Sequence, residues 1–405
     1  MRDIRQRPSL WQHIRSWDNG SKSTRRLTTG PILVSDAAVA HEVFSRPSNY
    51  VAESAFLRTR SYDPLPQEHR GKVISDLMAA IEAHPPSTLR LNSDALPTGR
   101  WLRTQSWGIR LMRTLYADAL AFERSPAIDQ LIDRFVERKT IRDDVWGTYR
   151  RLGDRERSEL HTAMGRELEV IRRATRTEAG PQTDLAGRIA CLDLPLPPIE
   201  RGELFFRLVQ SVVAFTGAAL EMATYVATTT PDIADDFRAG RSRKHILELQ
   251  RVYPTAWRLA RRAAVRHQLG DVDVSPGDEI IVATSTVHRA VEHWASGNAY
   301  CPQRWEDASM TRPMAYFPFG RGRGMCPGRN VAVDVLEETL TWLHRRYSVE
   351  VRGDLMARPY VRSILSAPTC KVRFTMLRAP TGGFPVAAGQ PSAVFSTGVP
   401  QGQQL

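Results

Sequence analysis

Phe319-Gly320-Arg321-Gly322-Arg323-Gly324-Met325-Cys326-Pro327-Gly328 decides how this 405-residue chain is read. A glycine-and-arginine loop carries one thiol to the start of an amphipathic helix. That helix is plain from Val333, Leu336, Leu340, Leu343 and Tyr347, which recur at spacings of three and four, while Arg329, Glu337, Glu338 and Arg345 occupy the other side. Backbone N–H groups at a helix start and nearby arginines favour a thiolate, and Pro327, lacking an N–H, suits a first helical turn. Cys326 is therefore a candidate metal ligand. A phosphate-binding glycine loop fails on spacing, because the required glycines fall on Met325 or Pro327. A zinc site fails too: Cys191, Cys301 and Cys370 are remote and no Cys-x-x-Cys pair exists. An RNA-binding Arg-Gly tract would repeat and would not run into a packed helix.

The segment resembles the haem-binding loop of the cytochrome P-450 family, Phe-x-x-Gly-x-Arg-x-Cys-x-Gly, with Phe319, Gly322, Cys326 and Gly328 matching. Gly324 stands where the family has Arg or His, with Arg323 one step earlier. The resemblance implies haem b, with Cys326 thiolate as the proximal ligand pushing electron density onto iron and Phe319, Gly320, Gly322, Arg323 and Gly328 around it. It also implies a mainly helical fold with a small β region, a triangular prism in which a long central helix lies over the haem.

Upstream, Glu248-Leu249-Gln250-Arg251 places a carboxylate and a guanidinium three residues apart on one helix face, closed by Pro254. Alone this is an ordinary surface pair. In the family's order of motifs, Glu248, Arg251 and Arg304 would form the buried Glu-Arg-Arg network beneath the haem, costly to break because losing one partner strands a charge. Between these motifs, Trp257–Ala264 reads as a basic strand, and Val272–Val282 alternates and turns at Pro276-Gly277 like a short hairpin. By position, Arg261 corresponds to an arginine that pairs a haem propionate, and Thr255, Ala256 and Trp257 would line the pocket.

Leu204 to Thr230 is apolar on nearly all sides and ends before Pro231, so it is a buried helix, with Arg207, Gln210 and Glu221 arguing against a membrane span. It resembles the central helix that carries an acid and a threonine for proton delivery in the family. One register puts Ala214 and Phe215 at those positions, and another puts Ala219 and Leu220 there. Both lose the acid–alcohol pair. Thr216 stands beside the first register, turned by about 100° from Phe215, and its hydroxyl is expected to bond back to the preceding turn. Phe215 and Ala219 would then face substrate.

Trp101, Arg103, Trp107, Arg110 and Arg113 read as a helical stretch resembling the one that touches haem propionates, with Arg103 as the candidate contact. Residues 53–100 show a weak pattern and include a loop at His84-Pro85-Pro86-Ser87. Gly30–Val34 reads as a strand leading into a helix capped by Asp36. No linker divides the chain, so residues 1–378 are expected as one domain and 379–405, uncharged and rich in Gly, Pro, Ser and Gln, as a flexible tail.

Four scattered cysteines suit a reducing compartment, and no apolar run follows the N-terminus, so a cytoplasmic protein without membrane contact is expected. The formal charge of +12 comes from arginines spread along the chain without a nucleic-acid-binding signature, so no nucleic-acid partner is expected. Arg312, Arg321, Arg323 and Arg329 cluster around the cysteine loop, which in the family docks an acidic ferredoxin or flavodoxin served by a reductase. The resemblance implies a cytochrome P-450 oxidoreductase making a hydroxylation, epoxidation or coupling on a small molecule of bacterial specialised metabolism. The missing acid–alcohol pair keeps open a redox-neutral or peroxide-using haem-thiolate enzyme, with a non-catalytic haem sensor more remote.

Overall fold

The computed structural model describes residues 24–27, 30–51, 67–88, 91, 95–142, 150–175, 182–306, 314–353, 360–361, 364–368 and 370–377. The N-terminal segment, the 52–66 stretch, Arg312, the tail from 379 and the side chains of Arg103 and Arg323 lie outside what is described. Helices dominate: α1 Ala37–Ser45, α2 Gln67–Ala83, α3 Thr104–Leu115, α4 Ala117–Ala121, α5 Pro126–Arg142, α6 Arg150–Thr175 and α7 Leu185–Cys191. The central helix α8 runs 32 residues, Pro198–Thr229. After it come α9 Pro231–Arg238, α10 Arg243–Val252, the short α11 Thr284–Val287 and α12 Arg329–Arg346.

Strands β1 (Thr24–Arg26), β2 (Ile32–Val34), β3 (Tyr50–Val51), β5 (Leu259–Ala263) and β8 (Glu279–Val282) form a sheet in the order β1-β2-β8-β5-β3, while β4 (Trp101–Arg103), β6 (His267–Leu269) and β7 (Val272–Val274) lie outside it. Only β2 and β8 pair in parallel there. A second sheet joins β4 to β9 (Tyr347–Arg352) through β12 (Lys371–Met376), and β10 (Tyr360–Val361) pairs with β11 (Leu365–Ser366). The fold is therefore mainly α with a small β region.

Local chemistry explains the elements the sequence foretold. The Asp36 carboxylate accepts the Val39 N–H at 2.9 Å and caps α1. The α8 helix passes the length and apolarity test for a membrane span, yet it is packed inside the protein. Gln210–Ala214 within it is a turn of π-helix. Two crossings fix its position. At its N-terminal end a Cβ on Gly202 would lie 2.0 Å from the His161 carbonyl oxygen, so α6 and α8 meet backbone to backbone. Further along, a Cβ on Gly217 would stand 2.6 Å from the Ile109 Cα, so α3 does the same. Arg201, almost fully buried, donates to the carbonyls of Ile189, Leu192 and Leu194 and holds the proline-rich connector to the start of α8.

Three expectations are corrected. Val272–Val274 and Glu279–Val282 do not pair with each other: β7 pairs with β6, while β8 lies between β2 and β5, where Ile280 and Val282 are fully buried. The turn at Pro276-Gly277 survives, with Gly277 at φ +89°, but it connects two different sheets. Trp101–Arg103 is strand β4, with Arg103 opposite Lys371, and the helical stretch begins only at Thr104. The third correction is α2, a helix of 17 residues inside the interval whose pattern read as weak.

Candidate functional site

Beneath the cysteine loop lies the Glu-Arg-Arg network. Glu248 and Arg251 have no accessible surface. Arg251 Nε and Nη2 donate to the two Glu248 oxygens at 2.9 and 2.8 Å. Its remaining N–H groups go to the carbonyls of His288 (2.9 Å), Gly297 (2.6 Å) and Ala299 (2.7 Å). Five donors thus meet five acceptors, the condition under which a buried guanidinium is tolerated. Glu248 also accepts from Arg304 Nε at 3.3 Å, Trp305 Nε1 at 2.9 Å and the Cys301 N–H at 2.7 Å. The structure brings Glu248, Arg251 and Arg304 together as expected and adds Trp305.

Sequence reasoning missed His288. It is fully buried; its Nδ1 lies 3.3 Å from the Gln250 carbonyl, and its Nε2 accepts the Phe317 N–H at 2.9 Å. Burial pushes its pKa down to about 3, so the ring is neutral, with the proton on Nδ1. It ties the end of α10 to the residues entering the cysteine loop. Only the His-Arg pair at 288–289, inside an otherwise small-residue stretch, marked it in the sequence.

The loop itself is closed by the Cys326 N–H, which donates to the Phe319 carbonyl at 2.8 Å. Gly320 and Gly322 take φ of +76° and +64°, and a Cβ on Gly322 would press within 2.9 Å of the Phe44 carbonyl oxygen. The α12 helix starts at Arg329, with Gly328 as its N-cap, so Pro327 precedes the helix and does not open it. The thiol is accordingly not strongly activated. Burial pushes the Cys326 pKa up, and the Gly328 N–H and Arg329 pull it back only in part. A bound metal would favour the thiolate.

Arg261, on β5, lies directly over this loop. A Cβ on Gly324 would stand 2.7 Å from Arg261 Nη2, so the glycine at 324 makes room for that guanidinium. Arg261 also packs its guanidinium 5.3 Å from the Phe44 ring centre and donates to its own neighbour's carbonyl, on Ala260. No carboxylate lies within ion-pair distance of it among the described residues, and burial lowers its pKa. Two helices reach the loop: α1 through the Phe44 carbonyl beside Gly322, and α2 through Met78, whose sulfur would lie 3.9 Å from a Cβ on Gly328. By contrast, α3 packs on α8, and its Arg113 pairs with Asp129 at 2.6 Å and Asp133 at 3.2 Å.

Above the site, Thr216 is buried and its hydroxyl bonds back to the Val212 carbonyl, as the sequence reading had it. Ala214 and Ala219 are buried, whereas Phe215 keeps accessible surface in a stretch, Val212–Ala227, that is otherwise covered. It lies about 160° around the helix from Gly217 and so faces away from α3. Thr255 and Trp257 are buried and Ala256 half-buried; the Thr255 carbonyl accepts the Leu365 N–H at 3.0 Å, tying this segment to the β10–β11 hairpin that packs on α8. Glu221, the acid on α8, points elsewhere: it accepts the Gly108 N–H at 2.9 Å, and burial raises its pKa well above the usual range.

The donor set limits what metal this loop can hold. No group of three or more His, Cys, Asp or Glu side chains is placed to bind an ion among the described residues. One thiolate suits a metal whose other ligands arrive with the cofactor, and a half-buried guanidinium without a carboxylate suits an acidic cofactor edge. The residues thus fit haem, and fold and site define a haem-thiolate protein.

Comparison with known proteins agrees. Residues 243–374 match the family model "Cytochrome P450". Thromboxane-A synthase of Macaca fascicularis is 30% identical over 166 residues, 35% of this chain and 31% of that protein. Human steroid 17-alpha-hydroxylase/17,20 lyase is 29% identical over 130 residues, 31% of this chain and 26% of that protein. The chain thus aligns with less than a third of either relative's length. Among solved structures, a mutant of P450 EryK in complex with erythromycin B superposes with a TM-score of 0.70 at 14% identity, covering 92% of this chain and 97% of that one. The cytochrome P450DA heme domain does so at 0.66 and 16%, covering 93% and 94%. The family match thus covers about a third of the chain, and the fold is similar to that of solved P450 structures.

Proposed function

We propose that this chain is a haem-thiolate oxidoreductase with Cys326 as the axial ligand, carrying out an oxidative tailoring step on a small molecule of bacterial specialised metabolism. The observation that carries the reading is the pairing of a lone thiol at Cys326 with the guanidinium of Arg261 in the space left by Gly324. When bound, haem supplies the oxidising chemistry, which the thiolate promotes by donating electron density to iron. Cys326 would hold the iron, Arg261 a propionate, and Met78 the loop's apolar flank. Glu248, Arg251, Arg304 and His288 hold the loop rigid. Phe215 and Ala256 would meet substrate, and their apolar character excludes water.

A redox-neutral or peroxide-using reaction is the second reading, favoured by the Thr216 hydroxyl being engaged with Val212 and by the phenyl group of Phe215 beside it. Neither residue has a proton to give. In the first reading, an acidic ferredoxin or flavodoxin would approach the face bearing Arg321, Arg329 and the exposed Met325. Four free cysteines favour a cytoplasmic setting.

Two measurements test this. Cys326→Ser should abolish the long-wavelength Soret band of the reduced carbon monoxide complex, and retention of that band refutes the ligand assignment. Incubating holoprotein with extract of a source strain lacking the gene should give a product only in aerobic tubes supplied with ferredoxin-delivered electrons. The same product in anaerobic, reductant-free tubes would establish the redox-neutral reading.

A further inference from the structure

Between Arg201 and Ala227 the central helix α8 is buried at every position but four: Arg207, Gln210, Ser211 and Phe215. These four form one stripe, and the π turn Gln210–Ala214 is what aligns it. In an uninterrupted α-helix Gln210 and Phe215, five residues apart, would point about 140° from each other. Hydrogen bonds running i→i+5 in a π turn instead make residues five apart near neighbours, as residues four apart are in an α-helix. The stripe also lies away from the two crossings that fix α8. Arg207 is about 140° around the helix from Gly202, and Phe215 about 160° from Gly217.

The polar groups along the stripe differ in what they have left to offer. Arg207 gives Nε and Nη2 to Glu203 Oε1 at 3.1 and 2.7 Å, so its charge is met within the helix. Ser211 donates its hydroxyl proton to the Leu208 carbonyl at 2.6 Å and keeps only acceptor capacity. The Gln210 amide, with two donor hydrogens and an acceptor oxygen, meets no partner among the described residues. Thr216 adds nothing on this side, because its hydroxyl is buried against the Val212 carbonyl. Phe215 gives the stripe its apolar end.

We propose that Gln210 determines specificity and that the substrate carries an alcohol group, held between the Gln210 amide and the Ser211 oxygen about one helical turn, roughly 5 Å, from an apolar part lying against Phe215. A hydroxyl suits both neighbours: it can donate to Ser211, which only accepts, and can exchange hydrogen bonds in either direction with Gln210. A carboxylate has no proton for Ser211, and Arg207 is already engaged by Glu203. A hydrocarbon group pressed against the stripe leaves the amide unsatisfied, which costs affinity. The π turn is then the device that sets an amide beside a phenyl group on a helix otherwise closed to ligands. The inference rests on the haem-thiolate reading, which puts the reacting part of the substrate beside Phe215.

The test is titration of the haem-loaded full chain with iron-ligating imidazoles whose alkyl chain, in a series of lengths, ends in methyl, hydroxyl or carboxylate. The Soret shift reports the binding of each without turnover. At the chain length where the hydroxyl helps most, the hydroxyl-to-methyl affinity ratio is expected to fall by about three- to tenfold in Gln210→Met, the worth of one net hydrogen bond. Ser211→Ala, which removes the acceptor, should lower the ratio as well. Phe215→Ala should weaken all probes alike and leave the ratio in place. A ratio unchanged in Gln210→Met, or equal loss for the methyl and hydroxyl probes, would overturn the proposal. So would tightest binding of the carboxylate probe, lost in Arg207→Gln, which would move recognition to Arg207 and an anionic substrate. No Soret shift with imidazole itself would refute the haem reading instead. The spectrum of the reduced carbon monoxide complex shows whether each variant keeps its fold.

Discussion

Replacing Glu248 by Gln should destabilise the holoprotein by about 3–5 kcal/mol, the range for removing one partner of a buried ion pair. The structure supports that range over the value for a surface pair. Arg251 is fully buried and would keep its charge, while two of its five N–H groups would face one carbonyl oxygen and one NH2 group. The same substitution disturbs the bonds from Cys301 N–H, Arg304 and Trp305. With roughly 2.1 cal/mol/K of unfolding entropy per residue, 4 kcal/mol amounts to a fall of about 5 °C in Tm for a domain of this size. The comparison is Glu159→Gln, whose partner Arg155 is 82% exposed; it should shift Tm by about 1 °C or less. Thermal unfolding of the three holoproteins at one pH decides the matter. If Glu248→Gln and Glu159→Gln unfold within a degree of each other, the argument from burial and saturated hydrogen bonding is wrong.

Two further outcomes follow from the same geometry. His288, near 6.5 when unfolded and about 3 when folded, contributes stability that is complete above pH 6.5 and lost as pH falls toward 3, because the unfolded chain takes up its proton first; His344, folded at about 4, acts in the same direction over a narrower window. His288→Gln should therefore be less stable than the parent at pH 7 and show a flatter decline on acidification, read by urea midpoints from pH 7 to 4, and an unchanged slope would refute the assignment. At the α6–α8 crossing, Gly202→Ala should cost about 1–3 kcal/mol or more through forced separation of two backbones. On α2, where nothing stands within 4 Å of the added Cβ, Gly71→Ala should gain about 0.5–1 kcal/mol; a Tm shift of the same sign in both variants would contradict these packing arguments.

The cysteine loop, the central helix and the Glu248-Arg251-Arg304 network could be read from the sequence because each depends on local spacing or an ordered set of motifs. What could not be read depends on partners distant in the chain. Trp101–Arg103 looks helical because it runs into Thr104–Leu115, and only pairing with Lys371–Arg373 makes it a strand. β7 and β8 flank a good turn, yet Ile280 and Val282 gain more burial between β2 and β5 than a hairpin would give them. The α2 helix hid behind its charged first turn, although Val73, Ala80 and Ile81, all buried, lie on one side. His288 and Arg201 show nothing in sequence of the carbonyls they meet. The π-helical turn Gln210–Ala214 has no marker among its residues that a straight helix would lack.

The relation between Gly324 and Arg261 bears on how relatives of this chain should be aligned. The loop has no side chain at 324, and a strand more than sixty residues earlier fills that place with its guanidinium. A chain with arginine at 324 has no room for Arg261 in this pose, and a chain with glycine at both positions would leave the place without a cation. In a chain that carries a cation at both places, the strand guanidinium must take a different pose from the one seen here. A column-by-column comparison scores Gly324 as a lost cation, although the guanidinium of Arg261 occupies that space.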